Sequence, residues 1–213
     1  FWDLETQATR RSPRTHKGAV TSVSFRPDGR FLAVTGREKA LCIYDTNTLA
    51  LAKEISCPCS DNRTVVFSPD GSRLTVAGRN GVIRIWDVST GAKIVDIDGH
   101  RRRVRSLAFS PTGLRLASAG EGRFLRIWNS ETGKLEVAIQ HIPTKTLAMV
   151  FTAEDQLATG GSDNVVYHWD LQRRAARYQL VGHTGSVASL ACDRGQGVLV
   201  SGSFDTTIRL WNL

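Results

Sequence analysis

The chain has 213 residues, 41% of them apolar, and a formal net charge of +8. That length holds one medium domain or two small ones with a real core. No apolar run approaches the ~20 residues of a membrane-spanning helix, and no signal-peptide pattern opens the chain.

The chain begins Phe1-Trp2-Asp3-Leu4, which reads like the middle of an element and predicts a piece of something longer. An aromatic followed by Asp or Asn then recurs at Tyr44-Asp45, Trp86-Asp87, Trp128-Asn129, Trp169-Asp170 and Trp211-Asn212. Counted from Trp2, the intervals are 42, 42, 42, 41 and 42 residues. Turn signals keep the same phase at Pro27-Asp28-Gly29, Pro69-Asp70-Gly71 and Pro111-Thr112-Gly113. Glycine there supplies the positive φ that a hairpin requires. Next in each unit comes a β-rich segment: "RFLAVTG", "SRLTVAG", "LRLASAG", "QLATGG" and "GVLVSGS". Then follow "ALCIYD", "GVIRIWD", "FLRIWN", "VVYHWD" and "TIRLWN", which alternate as half-buried strands do. Thr90-Gly91 and Thr132-Gly133 mark further turns. The pattern predicts about four strands per unit and no capped amphipathic helix.

A period of 41–42 residues with four strands and a terminal Trp-Asp resembles the WD-repeat β-propeller family. The resemblance covers essentially the whole chain as a single domain, residues 1–213. It implies an all-β propeller of four-stranded antiparallel blades, with five full repeats ending near 45, 87, 129, 170 and 213. Residues 1–15 are expected to be the end of a preceding blade. Most family members close with seven blades, so the resemblance implies part of an incomplete ring, with a tightly closed five-bladed ring as the alternative.

His183, Ser201 and Asp205 share one repeat with Trp211 and suggest a hydrolase triad. The resemblance implies instead a buried structural set, in which imidazole, hydroxyl, carboxylate and indole satisfy one another. Unsatisfied, each would cost about 1–3 kcal/mol. His100, Ser118 and Trp128 form a second such set, in which Gly122 replaces the Asp. Thr159, Asp163 and Trp169 form a third, with His141 one position out of phase. The first repeat has His16 but Val34, Glu38 and Tyr44; the second has Val76, Asn80 and Trp86. The first two blades are therefore expected to be less rigid than the fifth. His168, beside Trp169, should point to the other face of its strand.

Cys42 and Cys192 lie in apolar runs and read as small core hydrophobes. Cys57-Pro-Cys59 lacks the second ligand pair that zinc needs. Neither a metal nor a cofactor is expected, and reduced thiols suit a cytoplasmic location. Asp61-Asn62 and Glu154-Asp155 read as solvated turns.

The positive charge is carried almost wholly by arginine, lysine occurring only at Lys17, Lys39, Lys53, Lys93, Lys134 and Lys145. A basic surface favours acidic partners. The resemblance implies that partners contact the face bearing the loops that lead into each blade and the turns between second and third strands. By phase, that face carries Lys17, Arg37, Arg79, Arg101, Arg102, Arg103, Glu121 and Phe204. Arginine and an exposed aromatic suit an interface anchor. The expected function is a non-catalytic protein-interaction scaffold holding an acidic segment, within a larger signalling or regulatory chain. The alternative is a nucleic-acid-associated scaffold working through the basic face. A propeller enzyme is the remote third reading, and no membrane association is expected.

Overall fold

The computed structural model describes residues 5–9, 18–37, 40–58 and 61–213. Trp2-Asp3, His16, Lys17, Glu38, Cys59 and Ser60 lie outside the described residues. The described residues form five antiparallel sheets and no helix. Blade 1 is β1 (Val20–Phe25), β2 (Phe31–Gly36), β3 (Ala40–Asp45) and β4 (Leu51–Ser56). Blade 2 is β5 (Asn62–Phe67), β6 (Arg73–Gly78), β7 (Val82–Asp87) and β8 (Lys93–Asp98). Blade 3 is β9 (Val104–Phe109), β10 (Arg115–Gly120), β11 (Leu125–Asn129) and β12 (Leu135–Ile139). Blade 4 is β13 (Thr146–Ala153), β14 (Gln156–Gly161), β15 (Val166–Asp170) and β16 (Ala175–Leu180). Blade 5 has three strands, β17 (Val187–Asp193), β18 (Val198–Ser203) and β19 (Ile208–Asn212).

Local chemistry sets the turns. Gly29, Gly71 and Gly113 take φ of 72°, 70° and 75° in the first hairpins of blades 1 to 3. The Asp or Asn after the aromatic anchors of blades 1 to 4 caps the next turn. Asp87 Oδ1 accepts Ser89 Oγ at 2.6 Å and the Thr90 amide at 2.7 Å. These bonds from Ser89 and Thr90 hold the Asp87 carboxyl down at about 2. Asp45 and Asn129 receive the Thr48 and Thr132 amides in the same way, at 3.0 and 2.9 Å. This turn carries the chain into the outermost strand. Each four-stranded blade thus takes three strands before its Trp-Asp anchor and one after it, and its last strand comes from the next sequence unit.

The core lies between blades. Leu41 and Ile43 of blade 1 cluster with Phe67, Leu74 and Trp86 of blade 2. Ile83 and Ile85 meet Phe109, Leu116 and Trp128, and Leu125 and Ile127 meet Phe151, Leu157 and Trp169. Fully burying each such side chain contributes about 1.5–3 kcal/mol, and no blade could bury both faces alone. The first strands β1, β5, β9, β13 and β17 pack side by side in that order.

The terminal faces differ. Ile208 and Leu210 of blade 5 are 72% and 71% exposed, whereas Leu41 and Ile43, at the same positions of blade 1, are 0% and 2% exposed. On blade 1, Val23 and Phe25 are 54% and 56% exposed. Rigidity should follow this burial rather than the completeness of the polar sets. In the 213-residue chain, amides of β19 should exchange with deuterium sooner than those of β7. Slower exchange in β19 would show that the polar set outweighs the missing apolar cover.

Candidate functional site

Blade 3 shows how a buried polar set is assembled. His100 lies in the loop leading into β9, Ser118 in β10 and Trp128 in β11. Trp128 Nε1 donates to Ser118 Oγ at 2.7 Å, and His100 Nε2 lies 2.7 Å from the same oxygen. Arg126 Nη1 approaches His100 Nδ1 at 3.1 Å. A guanidinium only donates, so Nδ1 accepts, and the network assigns the imidazole proton to Nε2. Burial and then the Arg126 charge push the His100 pKa down to about 4.

Blade 5 has a carboxylate where blade 3 has Gly122. His183 Nδ1 lies 2.8 Å from Asp205 Oδ2, and Nε2 lies 2.7 Å from Ser201 Oγ. Trp211 Nε1 donates to that oxygen at 2.9 Å. A carboxylate accepts, so here the proton sits on Nδ1 and the Ser201 hydroxyl donates to Nε2. The two blades hold opposite histidine tautomers. The Thr207 hydroxyl, then the Thr184 and Thr207 amides and His183, keep the Asp205 carboxyl far below the usual range although partial burial opposes them. The connectivity matches a hydrolase triad. Ser201 is, however, fully buried, the His183 side chain is 0% exposed, and the indole of Trp211 occupies the serine oxygen. No substrate reaches a nucleophile so enclosed.

Blade 4 joins Trp169 Nε1 to Thr159 Oγ1 at 2.8 Å. Asp163 instead accepts the Tyr167 hydroxyl at 2.8 Å. Burial and then this bond push the Tyr167 phenol up to about 12. His141 is exposed and stands apart from the set. His168 faces away from Trp169, toward Thr152 and Tyr178. Among the described residues, no three His, Cys, Asp or Glu side chains converge as metal ligands would.

The strongest feature for a partner is central. Every first strand reaches an opening of about 500 Å³, through Val20 and Thr21, Arg63, Arg105, Leu147 and Ala188. Arg37 and Phe204 line it too, and Phe204 is 74% exposed. Arg79, Arg101 and Arg102 are exposed but stand outside this lining.

Arg103 differs from its two neighbours. It is half-buried and pairs with Glu121 at 3.1 Å and Asp61 at 3.6 Å. Glu121 also takes Arg105 at 2.6 Å, and Asp61 takes Arg63 at 2.8 Å. Burial raises the Glu121 carboxyl, but Arg105 and Arg103 together hold it below its ordinary value. Asp61-Asn62 is therefore no solvated turn: Asp61 bridges blades 2 and 3, and Asn62 is fully buried. The Glu154-Asp155 turn is tied down as well, by Thr112 at 3.0 Å and by Arg115. In the ladder around the opening, three guanidiniums face two carboxylates, which leaves the rim positive.

Sequence reasoning missed Arg63 and Arg105 as lining residues. Their signal was phase: with Thr21, Leu147 and Ala188 they recur at intervals of 42, 42, 42 and 41 along the first strands.

Antiparallel blades packed face to face, with polar clasps in blades 3 to 5 and exposed side chains around the axis, define a propeller whose surface rather than its interior is available for contact. The family profile described as WD40 (WD domain, G-beta repeat) matches residues 8–45, 55–87, 91–129 and 175–212. The chain belongs to the WD40 family. A U3 snoRNP-associated protein-like protein (EMB2271) of Arabidopsis thaliana is 39% identical over 69 residues, covering 32% of this chain and 14% of that protein. Cell division control protein 4 of Saccharomyces cerevisiae is 37% identical over 57 residues, covering 27% of this chain and 7% of its own. A probable coatomer subunit beta' of Schizosaccharomyces pombe is 36% identical over 56 residues, covering 26% and 7%. The chain thus spans a small part of each relative's length. WD repeats mark a protein-interaction scaffold, and the names of these relatives are varied: U3 snoRNP-associated, cell division control and coatomer subunit.

Proposed function

We propose that this chain is a non-catalytic scaffold that holds an acidic segment of a partner protein across its central opening. The observation that carries this reading is the convergence of Arg37, Arg63, Arg105 and the exposed Phe204 on one opening. Arg101 and Arg102 lie outside it and steer an acidic partner inward; rim charges of this kind act mainly on association rate. Phe204 supplies the apolar contact that interface anchors favour. A larger signalling or regulatory chain is the proposed setting. The thiols of Cys42 and Cys57, both buried, suit a reducing compartment such as the cytoplasm.

The test is fluorescence anisotropy with a labelled Asp/Glu-rich peptide that carries one leucine. Arg37→Glu with Phe204→Ala should weaken binding about tenfold or more, equivalent to ~1.4 kcal/mol. Arg101→Glu with Arg102→Glu should slow association and flatten its salt dependence. Unchanged affinity in the Arg37/Phe204 variant would remove the proposal. Tighter binding of single-stranded RNA than of the peptide, with a steep salt slope, would replace it with the nucleic-acid reading.

A further inference from the structure

Three junctions between consecutive blades share one contact. Ile43 meets Phe67, Ile85 meets Phe109 and Ile127 meets Phe151, each pair within one core cluster. At the fourth junction both partners change. His168 stands at the isoleucine position, paired across the strands with Ala158 as Ile43 is with Ala33. Cys192 stands at the phenylalanine position, opposite Leu199 as Phe67 is opposite Leu74. A ring has been lost, and a pocket of about 280 Å³ lies there, lined by both residues. It is built around the β13–β14 and β17–β18 hairpins, away from the central opening.

The pocket's chemistry is specific. His168 is 2% exposed. Its Nε2 lies 2.8 Å from Thr152 Oγ1, and its Nδ1 has no hydrogen-bond partner in the protein. A buried polar atom left in this way calls for a ligand or water. The imidazole stacks on Tyr178, with ring centroids 5.9 Å apart at 28°, which makes an aromatic wall. Arg177 and Arg194 also line the pocket. Arg177 lies over the Tyr178 ring at 5.0 Å, and Arg194 gives only its Nε to a backbone carbonyl, that of Phe151, at 3.3 Å. Both guanidiniums are exposed, and no carboxylate side chain lines the pocket. A volume just below the ~300 Å³ lower end of small-molecule sites suits a fragment-sized occupant.

We infer that the junction of blades 4 and 5 binds a planar aromatic ring that carries an anionic group. The ring takes the space that Phe67, Phe109 and Phe151 fill elsewhere and packs against Tyr178, which is 48% exposed, with His168 buried behind it. The anion meets Arg177 and Arg194, whose planar forks suit carboxylate and phosphate. This site is independent of the central opening.

The test is titration calorimetry of the 213-residue chain with phenyl phosphate, with phenol and inorganic phosphate as partial probes. Phenyl phosphate should bind at least tenfold more tightly than either. Cys192→Phe, which restores the residue of the other junctions, should abolish that binding and raise the melting temperature. Arg194→Ala, at an exposed position, should weaken phenyl phosphate severalfold in a normally folded chain, and it carries the test should Cys192→Phe fail to fold. Phenyl phosphate binding no better than phosphate, or surviving Cys192→Phe unchanged, would overturn the inference.

Discussion

Ser118→Ala should lower the melting temperature by roughly 5–15 °C. The Ser118 oxygen takes the indole N–H of Trp128 and the imidazole of His100, each at 2.7 Å. Removing it leaves two enclosed polar groups unpaired, at about 1–3 kcal/mol each. For a chain of this size, each kcal/mol shifts the midpoint by roughly 2–4 °C. Water offers little relief, because Trp128 is 6% and His100 5% exposed. The matching change Ser201→Ala should cost less. Trp211 is only half-buried, so its indole can turn to solvent, and Asp205 still holds the other side of His183. Differential scanning calorimetry of the two variants separates the cases. Equal losses would mean that burial does not set the cost.

The repeat made most of the fold legible. The aromatic anchors, joined in blades 1 to 3 by the Pro-x-Gly turns, locate three strands of each blade, because those strands alternate strongly and their turns demand particular residues. The fourth strand was harder to place. In "LAKEIS" only Ile55 is buried, so its pattern is weak. It also lies after the Trp-Asp anchor, so a unit counted to that anchor closes one strand early.

The candidate site was legible in part, for a related reason. Phase assigns a residue to a position within its own blade, and this found Arg37 and Phe204. It cannot say which side chain on the next blade will answer it. Arg103 reads as one of three equivalent basic residues until Asp61, on the preceding blade, is seen beside it. The same holds for Arg126. It occupies the position of Cys42, and nothing local shows that it turns to His100. Asp205 and Gly122 were recognisable as presence and absence of a carboxylate, but the consequence, opposite tautomers in two similar clasps, depends on where the third partner sits.

That difference makes blade 3 sensitive to acid. Its histidine is depressed to about 4, by burial first and the Arg126 charge second, whereas an unfolded histidine titrates near 6.5. The unfolded chain therefore binds a proton through this interval and the folded chain does not. Stability contributed by neutral His100 is complete above about pH 6.5 and is lost as pH falls toward 4, by an amount on the order of 3 kcal/mol. The structural cause is direct. Protonation places a hydrogen on Nδ1, facing an Arg126 N–H 3.1 Å away. Depressed carboxylates such as Asp87, held at about 2, also lose stability in acid, but below the ordinary carboxylate range near 4. The two effects therefore occupy different windows. Denaturant melts between pH 4.5 and 7 should show wild-type stability rising with pH. In Arg126→Leu, which removes the opposing cation, the slope should be shallower. In His100→Gln it should be shallower still, from a lower plateau, the remainder belonging to His168, whose pKa burial and then Arg177 also lower. An unchanged slope in His100→Gln would assign the acid sensitivity to another group and remove the tautomer argument with it.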